Sequence, residues 1–171
     1  PLATKALALF GDAQQRGVVT EAIFRCDGHV ARVKRASGAY ILTEPKEAPI
    51  DQGSIVTAFD RLLKTKALEW VALTDDRSFG INDACSVELD WSDGDHHQPR
   101  RVLRLGRRDE AGTFARFVGD DAVMLLPNSL RGEIGSLYLD RAAFQARRAN
   151  VSRVVLSTGA KTVTLTPASG G

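Results

Sequence analysis

The stretch VVTEAIFRC-DG-HVARVKR, residues 18–35, decides how the chain is read. β-Branched and aromatic residues fill 18–26, and such residues suit a pleated, half-buried strand. Asp27 and Gly28 both tolerate positive φ, as a two-residue hairpin turn demands. His29 to Arg35 then returns as a partner strand. Ser37-Gly38 repeats the turn signal, and AYILT (39–43) supplies a third strand. The chain therefore opens its folded part as an antiparallel meander.

After a loop with two prolines, Asp51 is placed to cap a helix. Ile55, Val56, Phe59, Leu62 and Leu63 then recur at helical spacing, which predicts one amphipathic helix over about 52–67 with Asp60, Arg61 and Lys64 outward. Residues 68–73 (LEWVAL) read as a strand. In 86–91 (SVELDW), Val87, Leu89 and Trp91 alternate against Ser86, Glu88 and Asp90. Strands follow at 101–105, 113–118 and 122–126, separated by glycine-bearing turns, and form a second meander. Asn128 or Ser129 caps a short helical segment near 128–148, although Gly132 and Gly135 weaken it. A last hairpin, 151–166, turns at Thr158-Gly159 and resembles 18–35 in style.

The expected architecture is α+β: an antiparallel sheet of two meanders, with the 52–67 helix packed on one face. Val56, Phe59, Leu63, Val87, Leu89, Leu103, Leu105 and Phe117 are the expected core. Residues 1–17 are a leading segment, 18–150 the main unit, and 151–171 a hairpin that either completes the sheet or begins a second repeat. The length, 171 residues, suits one domain or slightly more, and needs no metal or disulfide staple. With 23 basic and 21 acidic residues the formal charge is only +2, which argues against an obligate nucleic-acid binder. No signal-peptide pattern is present, and the longest apolar run, Ala122 to Pro127, is of strand length. A start at Pro1 and an end at Ser169-Gly170-Gly171 read as a piece of a longer chain.

The order of several short motifs resembles the bacterial domain-of-unknown-function family 4340. These are Ser78-Phe79-Gly80-Ile81-Asn82, Val102-Leu103-Arg104-Leu105-Gly106, Gly112-Thr113-Phe114-Ala115-Arg116, Ala122-Val123-Met124-Leu125-Leu126, and Leu139-Asp140-Arg141 before the 151–156 strand. Phe79 and Phe114 stand where that pattern has tyrosine, and Tyr40 where tryptophan is common. The resemblance covers about 18–166. It implies an extracytoplasmic bacterial domain, often behind one N-terminal membrane anchor, that accompanies ABC transport components linked to gliding motility. It carries over no catalytic residue.

Three candidate sites follow from residue chemistry. Cys26 and Cys85 are either two buried thiols or one long-range disulfide; without a C-x-x-C motif they are neither a zinc nor a thioredoxin-like pair. The loop around Asp93, Asp95, His96 and His97 holds metal-type ligands, but its spacing fits neither a calcium loop nor a zinc helix, and the reading preferred over a metal site is a solvated hairpin loop. Arg101, Arg104 and Arg108 lie on one strand with Arg100 and Arg107, either as an anion-binding patch or as a mixed-charge face balanced by Asp109, Glu110, Asp120 and Asp121. No nucleophile elbow, P-loop or dinucleotide fingerprint occurs.

The expectation is a non-enzymatic interaction or scaffold domain with no cofactor and with protein partners in a membrane transport or motility assembly. The membrane would be reached only through an anchor outside this stretch. Two alternatives stand beside it: a module binding an anionic envelope polymer through the Arg100–Arg108 strand, and a metal-dependent hydrolase using the 90–97 loop.

Overall fold

The computed structural model describes residues 9–10, 17–73, 78–93, 96–134, 152–158 and 161–166. The chain divides into two compact units, Pro1–Leu139 and Asp140–Gly171.

The first unit is built on one antiparallel sheet. Its strands are β1 (Val18–Cys26), β2 (His29–Ala36), β3 (Ala39–Glu44), β4 (Ala48–Pro49), β5 (Glu69–Leu73), β6 (Cys85–Asp93), β7 (His96–His97), β8 (Arg101–Arg108), β9 (Thr113–Phe117) and β10 (Ala122–Leu126). They lie in the order β4-β3-β2-β1-β6-β8-β9-β10-β5, with β7 beside β6. Both opening turns have positive φ at each central residue, Asp27 with Gly28 and Ser37 with Gly38, as the twist of a tight hairpin requires.

The expected α+β arrangement is not what forms. The first unit is dominated by a single ten-stranded sheet, with only two helices described, α1 (Gln52–Lys64) and α2 (Ser129–Ile134). The two meanders join into this one sheet because β1 pairs with β6 along nearly its whole length, from Val18 opposite Ser92 to Cys26 opposite Cys85. Once that seam forms, strands rather than a helical layer supply most of the core. The helical segment expected near 128–148 is described only as the short α2, and the rest of it lies outside the described residues.

Alternation along the strands sends Ala22, Phe24, Val33, Leu42, Val87, Leu89, Leu103, Leu105, Ala115, Phe117, Met124 and Leu126 to one common core. On the other side of β9 and β10, Ile81, Phe114, Val123 and Leu125 form a smaller cluster beneath Phe79. Gly106 lets the 79–81 turn approach. A Cβ there would overlap the Phe79 carbonyl oxygen and stand 2.7 Å from Ile81 Cγ1, so any larger residue forces the turn away. Arg107 N–H donates to that same carbonyl, at 2.7 Å.

The leading segment is more than a leader. Phe10 is buried and meets the rings of Trp91 and Phe117 edge-on, and Leu9 N–H donates to Thr65 O. α1 buries Ile55, Ala58, Phe59 and Leu62. The stripe is narrower than expected. Leu63 is only half-buried, and Val56, one residue off the stripe, is 53% exposed.

The second unit contains a two-stranded hairpin, β11 (Val154–Thr158) with β12 (Lys161–Leu165). Val154, Val155, Val163 and Leu165 are exposed on it. The helical or irregular segment expected at 138–149, and Leu139-Asp140-Arg141, lie outside the described residues. Among the described residues no helix is long and apolar enough to cross a membrane.

Cys26 and Cys85 are joined by a disulfide across the β1–β6 seam, 59 residues apart in sequence. Closing so long a loop restricts the unfolded chain, and a bond of this kind is worth about 2–4 kcal/mol. Reduction with dithiothreitol, or the Cys26→Ser/Cys85→Ser pair, should lower the urea unfolding midpoint accordingly.

Asp51 caps α1: its side chain accepts from Ser54 N–H at 3.1 Å and from the Ser54 hydroxyl at 2.8 Å. Hydrogen bonding from the Ser54 backbone, then from its hydroxyl, lowers the Asp51 pKa below the ordinary aspartate value. A lowered folded-state pKa gives stability that is present above the unfolded value and lost as pH falls through the folded one. Asp51→Ala should therefore destabilise the protein at neutral pH, and the gap from wild type should narrow in urea titrations as pH falls through the range in which the Asp51 carboxylate takes up its proton.

Candidate functional site

The first unit offers a groove where its sheet comes apart. Pairing of β1 with β2 begins only at Glu21 opposite Lys34. On its other side β1 carries a bulge between Val19 and Glu21 against β6, so Thr20 is an extra residue there. A bulge bends its strand and ends regular pairing. Residues 17–20 therefore diverge from the end of β2, and α1 runs past the opening.

The resulting cavity, about 370 Å³, is lined by Gly17, Val18 and Val19 of the β1 end, Arg35, Gly38 and Tyr40 from the β2–β3 hairpin, and Val56, Phe59, Asp60, Leu63 and Lys64 of α1. That is the size of a small-molecule site, with mostly apolar walls and a few polar groups. Tyr40 sits at its base. Its hydroxyl donates to Val19 O at 2.9 Å, and its ring meets Phe59 edge-on at 5.1 Å. Burial raises the Tyr40 pKa, with nearby Arg35 acting the other way, so the phenol stays a neutral donor. Gln52 fastens α1 to the same residue: its side-chain amide accepts from Tyr40 N–H at 2.8 Å and donates to Tyr40 O at 2.7 Å.

Charge at the rim is uneven. Lys64 pairs with Asp60 one helical turn earlier, at 2.7 Å and largely exposed, a geometry worth little. Arg35 follows Val33 on the same face by strand alternation, is exposed, and meets no carboxylate in an ion pair among the described residues.

A second feature is the asymmetry of the sheet edges. The β4 edge is two residues long and ends in Pro49, which has no N–H to offer. The β5 edge runs five residues and pairs only with β10 among the described strands. Trp70 and Val71 are 44% and 38% exposed along it, and Leu68, just before it, is 55% exposed.

Of the two readings of the arginines, a patch or a balanced face, the described residues bring no patch of Arg101, Arg104 and Arg108 together. Arg101 lies over the Phe117 ring at 3.8 Å and pairs with Asp120 at 3.0 Å. Arg104 is an odd number of residues away, on the opposite face, and pairs with Asp83 at 2.7 Å. Arg108 lies past a register shift, opposite Thr113. Arg100 bridges Glu21, Glu88 and Asp90, and its pKa is raised first by the hydrogen bond to Asp90. Arg25 joins Glu88, and Arg32 joins Glu21 and Glu44, with Lys34 also on Glu21. This face of β1, β2 and β6 neutralises itself.

Of the loop residues with metal-type side chains, His96 and His97 form β7, exposed and opposite Asp93 and Ser92 in register. Asp95 and the Asp93 side chain lie outside the described residues. No group of three or more His, Cys, Asp or Glu converges among the described residues.

The groove and the β5 edge were both missed in the sequence. Val56 was expected in the core because it adjoins the stripe, and Arg35 was read only as the last residue of the 29–35 strand. The bulge that opens the slot has no marker in VVTE.

Comparison with known proteins returns no match from family models, curated proteins or solved structures.

The Tyr40 hydroxyl holds the diverging β1 end. Tyr40→Phe should cost about 1 kcal/mol in urea unfolding and speed amide exchange at residues 18–20 relative to the sheet centre.

Proposed function

We propose that this chain is a non-enzymatic interaction module of an extracytoplasmic assembly, and that a partner protein docks by adding an extended segment to the β5 edge. The observation that carries the reading is the contrast between the two edges. Natural sheets guard a free edge with short strands, proline or charge, as at Pro49. The β5 edge instead leaves a full strand, paired on one side only among the described strands, with Trp70 and Val71 exposed on it and Leu68 exposed just before it. Main-chain hydrogen bonds along such an edge supply affinity, and a tryptophan is the side chain most often found as an interface anchor.

The Cys26–Cys85 bond supports an oxidising compartment, since structural disulfides persist there and are rare in the cytosol. The resemblance to family 4340 supports a membrane transport or motility complex as the setting. Arg101 and Arg104 are each paired with a carboxylate on opposite faces of β8, which leaves the polymer-binding alternative no open guanidinium cluster built on those two.

The test is a capture experiment from solubilised native membranes with wild type, Trp70→Lys and Val71→Pro. Wild type should retain a reproducible partner that both variants lose while keeping a near-native urea midpoint. Recovery of the same partner by all three proteins, or of none by wild type, would sink the proposal.

A further inference from the structure

The α1–β1 groove is separate from the β5 edge and calls for a different kind of ligand. Its walls are apolar: Val18, Val56, Phe59 and Leu63 flank it, and two of them, Val18 and Val56, keep 37% and 53% of their surface in solvent. Its rim carries two cations, Arg35 and Lys64, against one carboxylate, Asp60. Since Lys64 and Asp60 satisfy each other, the charge left over is that of Arg35.

A peptide strand does not suit the slot. A strand added to β1 would have to share Val19 O, which already accepts from the Tyr40 hydroxyl. The complementary ligand is compact, with an apolar body and one negative head. We infer that the groove binds a single-chain anionic amphiphile, its tail between α1 and the β1 end and its carboxylate, sulfate or phosphate head on Arg35. Removing a tail from water supplies the affinity, and a charge-assisted hydrogen bond from a planar guanidinium selects the head. The Lys64–Asp60 pair is neutral as a unit and is a spectator to both tail and head.

The inference is tested by fluorescence titration of the full chain with two dyes of similar body. Anilinonaphthalene sulfonate carries the negative head, and phenylnaphthylamine lacks it. Wild type should bind the sulfonate more tightly. Arg35→Gln should weaken the sulfonate by about tenfold and leave the neutral dye unchanged, as expected for the loss of one charged hydrogen bond. Val56→Glu, at a position already exposed, should weaken both. Dodecanoate below its micelle concentration should displace the sulfonate, and dodecyltrimethylammonium should not.

Urea midpoints of both variants within experimental error of wild type show that the dye reads a folded groove. Equal displacement by the cationic amphiphile, no effect of Arg35→Gln on the sulfonate, or displacement by phosphatidylglycerol vesicles in place of dodecanoate would each overturn the inference. Trp70→Lys should leave all of these titrations unchanged, so failure here and failure of the β5 docking edge are read separately.

Discussion

Everything in the first unit hangs on the pairing of β1 with β6. Without it, β1, β2, β3 and β4 form one small sheet and β6, β8, β9 and β10 another, each with a bare edge. With it, one face of ten strands closes over a shared core in which Phe24, Val87, Leu103 and Met124 are all buried. The seam is reinforced at three levels. Backbone pairs run from Val18 to Cys26, the disulfide locks its last register position, and Arg25 to Glu88 and Arg100 to Glu21 tie the outer face. Register is the property at stake, because a slip of one residue turns Ala22, Phe24 and Cys26 to solvent and Arg25 into the core.

The local parts of this fold were legible, and for local reasons. Asp27-Gly28 and Ser37-Gly38 specify their turns by φ alone, and the alternation in 86–91 names the buried face of β6 residue by residue. Asp51 marks the start of α1 because only a short acceptor side chain reaches the free N–H of Ser54. What could not be read is what depends on partners distant in sequence. Cys26 and Cys85 hint at one link between 18–26 and 85–93, but nothing else in either stretch says that the two strands pair along their length, and so the helix was given a larger share of the fold than it has. Val56 shows the same limit at one residue: helical spacing places it beside the stripe, but only the position of β1 decides that it faces a slot.

The charges follow a related rule. A small net charge of +2 and a run of arginines left two readings open, a patch or a balanced face. Strand alternation separates Arg101 from Arg104, and cross-strand neighbours supply Asp120, Asp83, Glu88 and Asp90. The candidate sites are therefore found where this pairing is incomplete: at Arg35, beyond the last pair of β1 and β2, and along β5, where the sheet ends.

The central seam also sets an order of events as the chain is made. Residues 18–44 can collapse into their meander from neighbouring contacts alone, whereas the partner of β1 is complete only at residue 93. At ribosomal speeds that interval is on the order of seconds. Throughout it β1 is an open edge with Phe24 uncovered and Cys26 a free thiol. The strand at the heart of the finished sheet is thus the most vulnerable one during synthesis, open to pairing with a wrong neighbour until β6 arrives.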